Sequence, residues 1–166
     1  AFAHRRRRDV TDWPALARAV HVAAIVHWIG GLFFVTFVVL PSLRDLAPNA
    51  RASAFAAVER RFAGQARISV ALAGATGFYL LQALGLWGDV LDPHMWRLAA
   101  MLVVWTLFAI MLFVAEPLFL HDLFDRRSQI DPEGTFRLLV RMHRILSAAS
   151  LATVLGVVAG VHGFQF

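Results

Sequence analysis

The chain has 166 residues, 59% of them hydrophobic, with a net charge of +5 and a mean hydropathy of +0.64. Because soluble domains are about half apolar, this composition excludes an ordinary soluble protein and indicates a polytopic membrane protein. The absence of cysteine excludes disulfides, iron–sulfur clusters, thiolate zinc sites and the covalent attachment of c-type haem.

Four apolar windows are each long enough for a helix that crosses a bilayer, which needs about 20 residues. Their bounds are 19–40, 68–87, 98–120 and 145–166, and Glu116 is the one acid or Arg inside them. We therefore predict an all-α integral membrane four-helix bundle with up–down topology, built from a single transmembrane domain over residues 1–166. The spans are expected at about 17–40, 66–87, 95–120 and 143–163.

All 16 basic residues are Arg, and they flank the apolar windows. The run Arg5–Arg8 favours a cytoplasmic N-terminus by the positive-inside rule. The count over the whole chain, six Arg on the N-terminal face against ten on the other, favours both termini outside. Arg clusters beside spans indicate lipid headgroups and not nucleic acid as partners. We expect a multi-pass protein of the bacterial inner (cell) membrane.

Local signals predict where the helices begin and end. Pro41 is expected to close the first span, and an amphipathic helix from Asn49 is expected to run on into the second. Asp92-Pro93 and Asp131-Pro132 predict helix starts, because the carboxylate caps the helix and proline suits its first turn. Glu116-Pro117 predicts a kink, with an acid that serves either as a proton relay or as the partner of an Arg.

Two histidines, His21 and His27, lie inside the first apolar window. An imidazole in a lipid-spanning helix is costly and usually marks a function that involves a metal, haem or a proton. At about 100° per residue, His21 shares a helix face with Trp28, whereas His27 points about 120° away from His21. The two histidines therefore cannot easily bind one iron together.

Up–down connectivity places His21, His94 and His162 near one membrane surface, with His27 deeper on that side. We predict that His21 is an axial haem ligand and that His162, from the last helix, is its partner, so that both are metal ligands. His27 and His94 are further candidates for binding the cofactor. The alternative for His94, in a first helical turn, is a solvated histidine, and His27 could instead bond a backbone carbonyl or a haem propionate. The alternative for His21 is an ordinary interfacial histidine.

Two further side chains complete the expected cofactor site, and one further pair of histidines is a candidate for another. Arg18, one turn before His21, is placed to bind a haem propionate, and Trp28 shares the register of His21. On the opposite side, His121 and His143 could form a second site or be ordinary loop histidines.

The pattern from His21 through Trp28 to Gly30-Gly31, H-x6-W-x-G-G, resembles the first helix of CopD-like membrane proteins. The same His-to-Trp spacing occurs in HemJ-type protoporphyrinogen oxidases. Two further stretches extend the resemblance: VERRF at 58–62 is similar to the HemJ segment before the second helix, and AGATGFYL at 73–80 to the second helix of both groups.

This resemblance implies a four-helix bundle that binds haem b, with His21 as a ligand. The chain departs from HemJ-type proteins in carrying Arg97 in place of a Lys, and His143-Arg144 in place of an Asn-Glu pair. The favoured function is a b-type haem protein that transfers electrons between a quinone or redox protein and another acceptor, and a haem-dependent oxidoreductase activity stays open. The alternatives are a HemJ-like protoporphyrinogen oxidase, a CopD-like copper permease, and a structural subunit in a membrane complex or homodimer.

Overall fold

A computed structural model describes residues 12–163, and these are helical apart from short turns and connections, with no strand among them. His4, Arg5–Arg8 and the last three residues of the fourth apolar window lie outside this range. The helices are α1 (Trp13–Asp45), α2 (Pro48–Ala83), α3 (Pro93–Leu120), α4 (His121–Ile130) and α5 (Pro132–Val161). Of these, α1, α3 and α5 are long and apolar enough to cross a membrane, as expected of a helical membrane protein.

The two predicted aspartate–proline helix starts are confirmed. The Asp92 carboxylate accepts a hydrogen bond of 2.8 Å from the His94 backbone N–H at the start of α3. The Asp131 carboxylate accepts one of the same length from the Gly134 N–H, and α5 begins at Pro132. Each cap satisfies a backbone donor that has no partner within its own helix.

The amphipathic stretch after Asn49 is also confirmed as part of a longer helix, because α2 continues without a break for 36 residues. It ends before Gly85, which has a φ of +68°. Glycine adopts this left-handed conformation without the steric cost that a side chain brings, so it ends a helix readily.

The expectation that Pro41 closes the first helix is wrong, because α1 continues to Asp45. A π-helical segment, Val35–Val39, lies just before this proline, and a second one, Met111–Leu120, contains Pro117. A proline ring clashes with the carbonyl one turn earlier and donates no hydrogen bond. The wider π-helical turn relieves that clash, so the chain stays helical through both prolines.

Helices α1 and α2 lie side by side in opposite directions, since His21 contacts Gly77 and Gly31 contacts Phe62. Helix α3 runs antiparallel to α2 and α5. The main buried cluster joins the first three helices through Trp28, Leu32, Ala66, Val70, Phe108 and Leu112. A second cluster joins the end of α1 and the start of α2 to the start of α5 through Val35, Leu40, Leu43, Phe55 and Val140.

The spacing of Gly156 and Gly160 in the sequence predicts a contact face on α5, and this face is confirmed as a contact surface with α3. Gly156 lies against the ring of Trp96, and Gly160 lies against the guanidinium of Arg97. Small residues four apart allow another helix to approach closely, as is common within membranes.

Adjacent glycines in α1 offer a matched test of this packing. Gly31→Ala is expected to destabilise the protein by about 1–3 kcal/mol, because the new methyl group overlaps the partly buried Phe62 ring. Gly30→Ala is expected to be neutral or stabilising by up to about 1 kcal/mol, because open space surrounds that position and alanine favours helix. Thermal unfolding in detergent, followed by circular dichroism, measures both, and equal effects would contradict the packing of Phe62 on Gly31.

Candidate functional site around His21

Helix α2 holds the half-buried imidazole of His21 through its Nδ1 atom. That nitrogen lies 2.9 Å from the Ala73 carbonyl oxygen and 3.1 Å from Thr76 Oγ1. Because a carbonyl can only accept, Nδ1 is the nitrogen that carries the proton. In the neutral ring, Nε2 is therefore the nitrogen with a free lone pair. Histidines that bind metals usually have this arrangement, in which the other ring N–H donates to a carbonyl or carboxylate.

Two neighbouring residues of α2 complete the contact with the His21 ring. The Thr76 hydroxyl donates to the Leu72 carbonyl at 2.6 Å, which leaves its oxygen lone pairs available to His21. A methyl group at Gly77 would lie 3.1 Å from His21 Cε1, so the absence of a side chain there lets the ring lie close to α2. Thr76 and Gly77 together fix the position of the imidazole.

His27 also contacts α2, but its hydrogen bond has a different character. Its Nδ1 lies 2.8 Å from Ser69 Oγ, and either atom can be the donor. The bond therefore does not determine which ring nitrogen is protonated. The side chain is exposed on the outer surface of the α1–α2 pair. His27 thus joins two helices through a serine hydroxyl, a partner different from the backbone carbonyl or haem propionate that we considered for it.

The remaining candidates lie towards the helix ends. Arg18, His94 and His162 are exposed. His162 donates from Nδ1 to the Val158 carbonyl of its own helix at 2.8 Å. Within residues 12–163, no described hydrogen bond joins His21 to His94 or His162. The same part of the chain contains no group of three or more His, Cys, Asp or Glu side chains that could hold a metal ion.

The second histidine pair is described in part. His143 donates from Nδ1 to the Leu139 carbonyl at 3.0 Å, and its ring packs edge-on against Phe55 at 5.8 Å. The structure does not describe the side chain of His121. His143 is thus a packed residue at the junction of α2 and α5.

Trp28, by contrast, lies in the main buried cluster, where its ring packs edge-on against Phe108 with 4.7 Å between ring centroids. The side chain is 4% exposed, and its indole N–H has no acceptor among the described residues. Buried N–H groups nearly always have a partner, so this donor is an unusual feature on the same helix as His21.

An ion pair between α2 and α3 forms a second polar centre. Arg67 Nη2 lies 2.5 Å from Glu116 Oε2, and Arg67 Nε donates to the Leu112 carbonyl at 3.1 Å. In a π-helical turn the N–H of each residue donates to the carbonyl five residues earlier. The carbonyl of Leu112 would therefore accept from residue 117, but this residue is Pro117, which has no N–H. Arg67 replaces that donor. Of the two roles considered for Glu116, the structure supports pairing with an Arg.

Sequence reasoning did not find the partners of these polar residues. Ala73, Ser69 and Thr76 approach the two histidines across more than 40 residues of chain. The one available signal was the AGATGFYL stretch, which contains two of them. Comparison with protein families, with curated proteins and with solved structures finds no match to this chain.

Proposed function

We propose that the chain is a four-helix, up–down membrane protein that binds a b-type haem through His21. In this role it passes electrons between a quinone or a redox protein and another acceptor. The observation that carries the proposal is the hydrogen bond from His21 Nδ1 to the Ala73 carbonyl, which leaves Nε2 as the ligating nitrogen.

Two features of α1 support the proposal that a haem binds there. Nε2 of His21 has a free lone pair, and the buried indole N–H of Trp28, predicted to share the helix face of His21, has no acceptor among the described residues. Haem supplies one-electron redox chemistry when bound. The hydrogen bond to Ala73 orients the imidazole and raises its basicity. Arg18 would supply a positive charge on the same helix for a propionate, and His162 or His94 would supply a second ligand.

The polar contacts of α2 support its assignment as the fourth crossing. Its charge-free part begins at Ile68 and contains Ser69 and Thr76, whose hydroxyls both bond histidines of α1. Trp105 of α3 donates to the Val70 carbonyl at 2.8 Å on another side of α2. Polar groups that are satisfied by neighbouring helices can enter a bilayer at reduced cost.

Absorption spectroscopy of the purified protein tests the proposal. We expect the protein to bind added haemin at about one equivalent per chain, with a Soret band and a sharp α band after reduction, as for other haem b proteins with histidine ligands. A folded protein that binds no haemin would contradict the proposal. Oxidation of protoporphyrinogen by the loaded protein would instead support the HemJ-like activity, and copper retention without haem would support the CopD-like permease.

A further inference from the structure

A groove runs along the outer surface between α1 and α2, on the face that carries His27. Its volume is about 960 Å³, within the range of ligand clefts, which is about 300–1,000 Å³. The polar residues that line it are His27, Arg60, Arg61 and Gln65, and no carboxylate is among the lining residues. The groove is therefore positively charged where Arg60 and Arg61 line it.

Another part of the groove is apolar and open. Gly30 and Gly31 form its floor on α1, and nothing lies within 4 Å of the position that a methyl group on Gly30 would take. Phe34, which is 57% exposed, forms part of the wall. The side chains of this apolar part carry no hydrogen-bonding group, so it can contact a hydrocarbon chain.

Phe62, next to the two arginines, contacts Gly31 within the apolar window of α1, so the long Arg side chains extend along the groove to reach the membrane surface. Arg60 and Arg61 are exposed and precede the charge-free part of the helix, which begins at Ile68. Among the described residues, neither forms an ion pair. The neighbouring Glu59 lines a different pocket, towards α5, so its charge does not face the groove.

We propose that this groove is a specific binding site for one anionic phospholipid. The phosphate lies on Arg60 and Arg61, and an acyl chain lies against Gly30, Gly31 and Phe34. Basic side chains at a membrane surface attract anionic headgroups, and Arg suits phosphate because it donates from a planar fork. This proposal goes beyond haem binding at His21 and does not depend on it.

Native mass spectrometry of the protein, extracted from vesicles of equal parts phosphatidylglycerol and phosphatidylcholine, tests the site. We expect roughly a 25-fold preference for retained phosphatidylglycerol, since each of the two Arg contributes about a fivefold preference and the two factors multiply. Changing Arg60 and Arg61 together to Gln is expected to remove that preference. The matched control changes Arg126 and Arg127 to Gln, an exposed adjacent pair on α4 outside the groove, and is expected to keep it.

A second variant tests the apolar part of the site. Gly30→Phe fills the open floor and is expected to lower lipid retention several-fold while it leaves both arginines in place. The proposal is overturned if the control pair lowers the preference as much as the groove pair does, or if Gly30→Phe has no effect. Displacement of the lipid by added haemin would also overturn it, because the groove would then belong to the cofactor. Absence of haemin binding, by itself, would leave the lipid result unchanged.

Discussion

Replacement of His21 by alanine is expected to abolish haem binding and, with it, the Soret band of the reconstituted protein. Loss of an outer-shell partner of a ligating histidine costs about 10- to 100-fold in affinity, and loss of the ligand itself costs more. Titration with haemin at a fixed protein concentration measures the effect. His27→Ala is the matched control, since this histidine lies on the same helix and also bonds α2. It is expected to keep the spectrum of the unchanged protein.

Two further variants separate ligation from folding. In His21→Gly, added imidazole is expected to restore the Soret band, because the free ligand can occupy the space of the missing ring. Thr76→Val removes one acceptor of the Nδ1 proton and keeps the other, Ala73. We expect it to weaken haem binding by up to about tenfold. If His21→Ala binds haemin like the unchanged protein, the axial ligand is another residue and the proposed site is wrong.

Replacement of Arg67 by methionine is expected to destabilise the protein by about 2–3 kcal/mol. The change leaves the Glu116 carboxylate without its ion-pair partner and the Leu112 carbonyl without a donor. Breaking a fully buried pair costs about 3–5 kcal/mol, and an orphaned buried carbonyl costs about 1–3 kcal/mol. Since the two side chains are 36% and 23% exposed, screening reduces both costs, and we expect the total to be about 2–3 kcal/mol. Unfolding by heat in detergent, followed by circular dichroism, measures it.

A double-mutant cycle with Pro117 tests the reason for this cost. Pro117→Ala restores a backbone N–H, so the Leu112 carbonyl no longer depends on Arg67. In that background we expect Arg67→Met to cost about 1 kcal/mol less than in the unchanged protein. Arg144→Met, which removes an exposed cation from α5, is the control and is expected to change stability by less than about 0.5 kcal/mol. An equal cost of Arg67→Met in both backgrounds would show that Arg67 does not replace the missing amide.

Features that depend on neighbouring residues could be predicted from the sequence. The starts of α3 and α5 follow from Asp92-Pro93 and Asp131-Pro132, since capping involves atoms within one helical turn. The helical class follows in the same way from the length and composition of the apolar windows. The packing face of α5 followed from the spacing of two glycines.

Features that depend on distant residues could not be predicted. The continuation of α1 past Pro41, although local, could not be predicted either, because no single residue type indicates the π-helical widening before it. The partner of Glu116 was one of many Arg until packing brought Arg67 beside α3. The protonated nitrogen of His21 depends on Ala73, 52 residues away, and no pattern within the first helix contains that information.

Helix α2 is the long helix that is not apolar enough to count among the candidate spans, and this has a consequence for biogenesis. In the proposed arrangement, α2 enters the bilayer after α1 and carries Ser69 and Thr76 into it. Histidines of α1 already in the membrane supply partners for these hydroxyls, and Gly77 lets the two helices meet closely. In that arrangement the insertion of α2 depends on α1, because the two histidines of α1 supply the polar contacts that α2 needs inside the bilayer.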